Sequence, residues 1–262
     1  MDTPDADLGG TLRLCALVPT YDNPATIAEV VTRLRAHVPD VVVVDDGSGP
    51  AGRAAVEDLG RRGLAHVRHR ARNGGKGAAV KTGLRHAQAL GFTHALQVDA
   101  DGQHTLEDVP RMIAAMRQHP NALVLGAPRY DHSAPAARLA GRKITKFWTD
   151  FETFGPVIDD PMCGFRIYPV EAALAANARG NRMDFDIEIA VRMVWRGTPV
   201  VNVPTRVRYL PAEEGGVSHF RLVGDNVRIS LLHARLATRS IVARLLPGRR
   251  KRPRRLPAPT AP

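Results

Sequence analysis

Two cysteines in 262 residues, Cys15 and Cys163, leave no room for a disulfide framework, and they form no metal-binding spacing. Both lie in apolar or motif-rich surroundings, so buried, reduced thiols are expected, which suits a cytosolic location. Long apolar runs are missing too. No stretch approaches the roughly 18 consecutive apolar residues of a membrane span, and no apolar segment follows a basic one at the start, so neither a span nor a signal peptide is expected. Acidic residues are nearly absent from Arg221 onward, where 11 basic residues face Asp225 alone. That segment carries +10 of the formal +11, and residues 1–220, with 26 basic and 25 acidic side chains, carry +1. A nearly neutral body with a basic end is expected to meet an anionic surface, either membrane lipid or nucleic acid. The basic end lacks the interleaved aromatics that stack on bases, and no nucleic-acid-binding module accompanies it, so nucleic acid is the weaker of the two.

What is present is a chain able to bury one full-sized core, with 44% hydrophobic residues. Leu12 to Val18 reads as a buried strand ended by Pro19, with Asp22 or Asn23 placed to cap a helix that carries Ile27, Val30, Val31 and Leu34. Val41 to Val44 is a β-branched run of the kind a doubly covered parallel strand needs, and it ends in Asp45-Asp46-Gly47-Ser48. Further strands are expected near Ala65 to Arg68, Leu96 to Val98, Ala122 to Gly126 and Pro199 to Tyr209, separated by helical spacing. Such alternation predicts an α/β fold with a mainly parallel sheet. Residues 1–10 are expected to be disordered, 11–220 to form the domain, 221–246 an amphipathic helix, and 247–262 a basic, Pro/Arg-rich tail.

One stretch concentrates chemistry. In Leu96-Gln97-Val98-Asp99-Ala100-Asp101-Gly102-Gln103-His104 an apolar run ends in two carboxylates one residue apart. Side chains at i and i+2 of a strand share a side, so Asp99 and Asp101 can converge on one ion. Hard oxygen donors suit Mg²⁺ or Mn²⁺, which commonly complete their shell with substrate phosphates. Asn73-Gly74-Gly75-Lys76-Gly77 opens a helix with backbone room and a cation, so Lys76 can face phosphate, although the spacing is not that of a Walker loop. Ligands of open α/β sheets gather at the carboxyl ends of strands. Tyr21, Asp46, Asp99, Asp101 and Arg129 all fall there.

Taken in order, Val18-Pro19-Thr20-Tyr21, Asp45-Asp46-Gly47-Ser48, Asn73-Gly74-Gly75-Lys76-Gly77, Asp99-Ala100-Asp101-Gly102-Gln103 and Cys163-Gly164-Phe165-Arg166 resemble the family 2 glycosyltransferases. The likeness is greatest to the dolichol-phosphate mannosyltransferase branch and covers roughly residues 12–220. It implies the GT-A fold, a nucleotide-sugar donor (a UDP- or GDP-sugar), a divalent cation, and inversion at the anomeric carbon. It further implies that Pro19, Tyr21 and Asp46 hold the nucleoside, that Asp99, Asp101 and Gln103 surround metal and diphosphate, and that Arg129 and Arg166 meet phosphate. Asp186 and Glu188 resemble the acidic position of a later motif, where a carboxylate would accept a hydroxyl proton; a phosphate acceptor would need none. Gly215 to Phe220 resembles a loop that closes over donor or acceptor. The family often has Asn-Glu after the tyrosine, whereas this chain has Asp22-Asn23, which leaves UDP and GDP both open.

On a helical wheel from Arg221, Val223, Val227, Leu231, Ala234, Ile241 and Leu245 form one stripe and Arg221, Arg228, Arg235 and Arg239 another, with Leu222, Ile229 and Leu236 on neither. A helix apolar on two sides can pack on the domain and touch lipid, its arginines meeting headgroups. The expectation is therefore a transferase working on a lipid or lipid-phosphate acceptor, peripherally bound at the inner face of the plasma membrane. The alternatives are a soluble transferase acting on a polysaccharide or small molecule, and a nucleic-acid-binding protein.

Overall fold

The computed structural model describes residues 12–129, 136–206, 222–245 and 253–259. The amino-terminal residues, Tyr130, the Gly215–Phe220 loop and most of the basic tail lie outside them.

Strand β1 (Leu14–Thr20) runs parallel to β2 (Val41–Asp45), whose four valines are all buried, as β-branched side chains covered on both faces should be. Between them α1 (Ile27–Arg35) buries Ile27, Val30, Val31 and Leu34, the residues whose spacing marked it. Its start differs from expectation: the N-cap position is Thr26, not Asp22 or Asn23. Asp22 takes a φ of 49° and its Oδ1 accepts the Gly49 N–H at 2.8 Å, so it ties the β1 loop to the β2 loop.

Helix α2 (Pro50–Arg61) leads to β3 (His66–His69), and α3 (Lys76–Ala89) leads to β4 (His94–Gln97). A 3₁₀ turn at Leu106–Asp108 precedes α4 (Val109–Gln118) and β5 (Leu123–Arg129). Then come α5 (Ala136–Thr153), β6 (Arg166–Pro169), α6 (Val170–Ala176), α7 (Asp184–Trp195), β7 (Val200–Arg206), α8 (Leu222–Leu245) and β8 (Arg255–Leu256). The sheet order is β3-β2-β1-β4-β6-β5-β7-β8. Strand β6 is antiparallel to both neighbours and the other pairings are parallel. The expected α/β architecture with a mainly parallel sheet is present. One apolar layer sets α1, α2 and α4 against one face, and α3, α6 and α7 cover the other.

The antiparallel β6 positions the site. Its first residue, Arg166, is in register with Gln97 at the end of β4. The segment entering β6, Cys163-Gly164-Phe165, is thereby delivered to the carboxyl end of β4, where Asp99 follows.

Two carboxyl-terminal features are set by tertiary packing. On α8, Ile229 and Leu236, which fell on neither stripe, are buried with Leu232 against Ile187 and Val191 of α7, whereas Val227, Leu231, Ile241 and Leu245 of the apolar stripe are exposed. Three arginines of the other stripe are exposed but make contacts within the protein: Arg228 pairs with Asp225 at 3.3 Å, Arg235 with Glu188 at 3.0 Å, and Arg239 lies over the Trp195 ring at 5.3 Å. Periodicity defines stripes, but α7 decides which stripe it covers. The described part of the basic tail returns to the sheet. Arg255 and Leu256 pair with Val200 and Val201 of β7, and Arg255 bridges to Asp159 at 2.6 Å.

Candidate active site

Lys76 begins α3 directly after Gly75, which has a φ of 96° and on which a Cβ would meet the Asn181 carbonyl at 2.5 Å. Only glycine suits both demands. The Lys76 side chain reaches across the end of β4, its Nζ 2.8 Å from Asp99 Oδ1, 2.9 Å from Asp99 Oδ2 and 3.0 Å from Asp186 Oδ2. Asp186 is buried on the first turn of α7, and its Oδ1 accepts a hydrogen bond from Gln97 Nε2 at 3.4 Å. Tyr168 of β6 in turn donates to Gln97 Oε1 at 3.0 Å. Gly164 lies against the ion pair: a Cβ there would sit 2.5 Å from both Lys76 Nζ and Asp99 Oδ2. His104 stacks on Phe165 at 5.3 Å and brings Nε2 to 3.5 Å from Asp99 Oδ2.

Burial by itself lowers the Lys76 ammonium, but Asp186 and Asp99 outweigh it and hold the group above its ordinary value. Burial likewise pushes the Asp99 carboxyl up, and Lys76 with His104 reverses this, keeping it well below the usual carboxylate range. Asp101, which Lys76 does not pair with, is raised, first by burial and then by the neighbouring Asp99 charge. Its Oδ1 accepts the Gln103 N–H at 3.0 Å, so the backbone of Gln103 orients this carboxylate.

These residues fit a divalent cation. Asp99 Oδ1 is buried and, among the described residues, receives no aligned hydrogen bond despite its nearness to Nζ; His104 Nδ1 is similarly buried without a partner. No three His, Cys, Asp or Glu side chains form a closed metal cage among the described residues. Two hard carboxylates one residue apart instead match an ion that completes its shell with water and substrate phosphate.

Other expected residues have different surroundings. Pro19 is buried within β1 and Tyr21 is half-buried just beyond it. Asp46, expected at a nucleoside, has both oxygens engaged: Arg70 Nη1 donates at 2.6 Å, the Gly74 N–H at 3.1 Å and the Gly75 N–H at 2.6 Å. It anchors the loop that presents Lys76. Arg129 is exposed at the end of β5, in register with Arg206 and two strands away from β4.

Arg166, expected at a phosphate, is fully buried. Its guanidinium donates to the carbonyls of Cys163, Pro161 (3.3 Å) and Asp186 (2.8 Å), because β6 starts inside the sheet and no water reaches it. It shapes the Gly164 turn and holds the first turn of α7. Arg166→Lys keeps the charge but loses the planar fork, so a stability loss of about 1–3 kcal/mol is expected, with nucleotide affinity of the folded protein unchanged; calorimetric unfolding and nucleotide titration measure the two. Glu188 is likewise buried, accepting the Arg179 and Gly180 N–H groups at 2.9 and 2.6 Å and pairing with Arg192 and Arg235. It faces away from Lys76, since Asp186 and Glu188 sit on different sides of α7. Sequence reasoning gave no role to Gly164, Gln97 and His104. Gly164 belongs to the Cys-Gly-Phe-Arg motif and the other two flank the Asp99–Asp101 pair, so motif membership was their only signal.

A model of the family described as "Glycosyl transferase family 2" matches residues 15–173. The chain belongs to this family. Among curated relatives, the polyprenol monophosphomannose synthase of Mycolicibacterium smegmatis is 30% identical over 233 residues, covering 83% of this chain and 84% of the relative. The undecaprenyl-phosphate mannosyltransferase of Micrococcus luteus is 29% identical over 206 residues, covering 74% of this chain and 82% of its own length. Among solved structures, glucosyl-3-phosphoglycerate synthase from Mycobacterium tuberculosis in complex with UDP superposes with a TM-score of 0.63 at 18% identity, over 87% of this chain and 80% of that one. The same enzyme with Mn²⁺ and UDP-glucose gives a TM-score of 0.55 over 78% and 74%. These structures share the GT-A fold with this family 2 enzyme.

Proposed function

We propose that this enzyme transfers a sugar, with inversion, from a nucleoside-diphosphate donor to a polyprenyl-phosphate acceptor at the inner face of a membrane, using a divalent cation. The observation that carries this reading is the Asp99, Asp101, Lys76 and Asp186 constellation at the carboxyl end of β4. A divalent ion held by Asp99 and Asp101 would supply charge stabilisation for the departing diphosphate. Lys76 contributes a second positive charge on the same side, and Gly164 keeps the approach clear of a side chain. An acceptor oxygen attacks the anomeric carbon opposite the leaving group; its bond forms as the bond to diphosphate breaks.

The state of the carboxylates favours a phosphate acceptor. A hydroxyl acceptor needs a base within reach, yet Asp186 is buried against Lys76 and Glu188 is buried beneath α8. A phosphate oxygen is already anionic. The relatives named polyprenol monophosphomannose synthase and undecaprenyl-phosphate mannosyltransferase point the same way. So does an unusual surface: Ile144, Phe147 and Trp148 on α5 and Val227, Leu231 and Leu245 on α8 are exposed, Phe147 by 65% and Leu231 by 66%. Large apolar side chains in such number on two packed helices suit contact with a lipid chain or bilayer. No described helix is long and apolar enough to cross a membrane, so contact rather than insertion is proposed.

The test is a panel of UDP- and GDP-sugars with Mn²⁺, first by thermal unfolding and then by transfer to polyprenyl phosphate, polyprenol and a soluble phosphate ester. A donor at a hundred times its Kd adds about 2.7 kcal/mol of stability. One donor is expected to stabilise the protein and to label polyprenyl phosphate but not polyprenol. Equal labelling of the unphosphorylated alcohol would overturn the phosphate acceptor, and preference for the soluble ester would overturn the lipid.

A further inference from the structure

Lys76 touches three carboxylate oxygens from two aspartates, all within 3.0 Å, in a recess closed by Gly164. That is the environment of a bound cation, and Asp99 is one of the two carboxylates assigned to the metal. An ion such as Mg²⁺ sits about 2.0–2.1 Å from its oxygen ligands, closer than an ammonium. It cannot ligate Asp99 while Nζ lies against both oxygens of that group without two positive charges meeting at short range. The ammonium lies between two carboxylates, Asp99 and Asp186, which hold it in place. Departure requires a new anion for it to face.

We propose that Lys76 is the resident cation of this site in the donor-free enzyme, so that the metal binds with the nucleotide and not before it. The inference rests on the reading of the site as one for a metal and a nucleoside diphosphate, and it adds an order of events. The diphosphate provides oxygens to which Lys76 turns, Asp99 is released to the metal, and the positive charge near Asp99 and Asp186 is never lost. The flanking geometry suits such a swing: the first turn of α3 is anchored by the Ala78 N–H, which donates to the Asn181 carbonyl at 3.0 Å, so only the flexible Lys76 side chain needs to move. Asp46, gripping the Gly74 and Gly75 N–H groups, keeps the loop in place meanwhile.

The experiment measures protein-bound Mn²⁺ by electron paramagnetic resonance on the full chain, with MnCl₂ alone and with UDP or GDP, correcting for chelation by each nucleotide without protein. In the wild type, the nucleotide that binds is expected to tighten Mn²⁺ binding by a factor in the roughly 5–150-fold range of coupled sites. Lys76→Met is expected to bind Mn²⁺ alone at least tenfold more tightly than the wild type, and Mn²⁺ alone should raise its unfolding temperature while leaving that of the wild type nearly unchanged. Wild-type binding of Mn²⁺ alone as tight as with nucleotide, or as tight as in Lys76→Met, overturns the proposal. The wild-type comparison needs no variant and stands if Lys76→Met does not fold. Failure of the underlying functional reading has a different signature: neither UDP nor GDP binds, with or without Mn²⁺.

Discussion

Replacing Asp101 by asparagine is expected to lower sugar transfer by about 10²–10³-fold while leaving the unfolding temperature almost unmoved. A metal supplies several kcal/mol of stabilisation to a departing diphosphate, and each 1.4 kcal/mol is about tenfold in rate. Losing one of its two anionic ligands removes much of that. Asp101 is a cleaner probe than Asp99, because Asp99 also balances Lys76 and its loss would leave a buried ammonium short of a partner. At Asp101 the contact to preserve is the hydrogen bond from the Gln103 N–H to Oδ1, which an asparagine oxygen can accept. Removing a carboxylate whose ionisation burial and Asp99 already disfavour should cost the fold little. The measurement is turnover at saturating donor across a Mn²⁺ titration, beside calorimetry. Full turnover at every Mn²⁺ concentration would remove Asp101 from the metal site.

Glu188→Ala is expected to act in the opposite manner, with a large loss of stability and a small effect on the rate per folded molecule. Glu188 is fully buried, and its oxygens satisfy two backbone N–H groups as well as Arg192, itself mostly buried, and Arg235, which is half exposed. Breaking a buried pair by removing one partner typically costs about 3–5 kcal/mol. The Arg235 limb is screened and adds little. For a chain of this size each kcal/mol shifts the midpoint by about 2–4 °C, so a fall of roughly 6–20 °C is expected. The cause is mechanical: Glu188 joins α7 to the Arg179–Gly180 backbone and, through Arg235, to α8. A catalytic base would show the reverse pattern, with turnover lost and the midpoint kept.

The strands and helices that carry the site were readable in the chain because they repeat short-range patterns. Four valines in a row can only be comfortable between two helical layers, and Ile27, Val30, Val31 and Leu34 mark one face of a helix whatever surrounds it. The carboxylate pair was readable as a motif at the end of a strand, but β4 stops at Gln97 and Asp99 and Asp101 lie beyond it, Asp101 in a turn, so loop geometry and not strand period sets their directions. Tertiary structure decided everything that depends on which segments meet. Arg166 and Glu188 are charged residues within recognisable motifs, and nothing local says that one starts an interior strand or that the other is buried against the Arg179–Gly180 backbone. Helix α8 had apolar residues on two sides, and packing against α7 chose Ile229, Leu232 and Leu236 as the inner one, which left Val227, Leu231 and Leu245 outside. Lys76 looked like a phosphate ligand on a glycine-rich loop; only the approach of β4 and α7 places it between Asp99 and Asp186. Chain periodicity sets the phase of each element. The partner of a charge is set by desolvation, which acts only once remote segments have excluded water from between them.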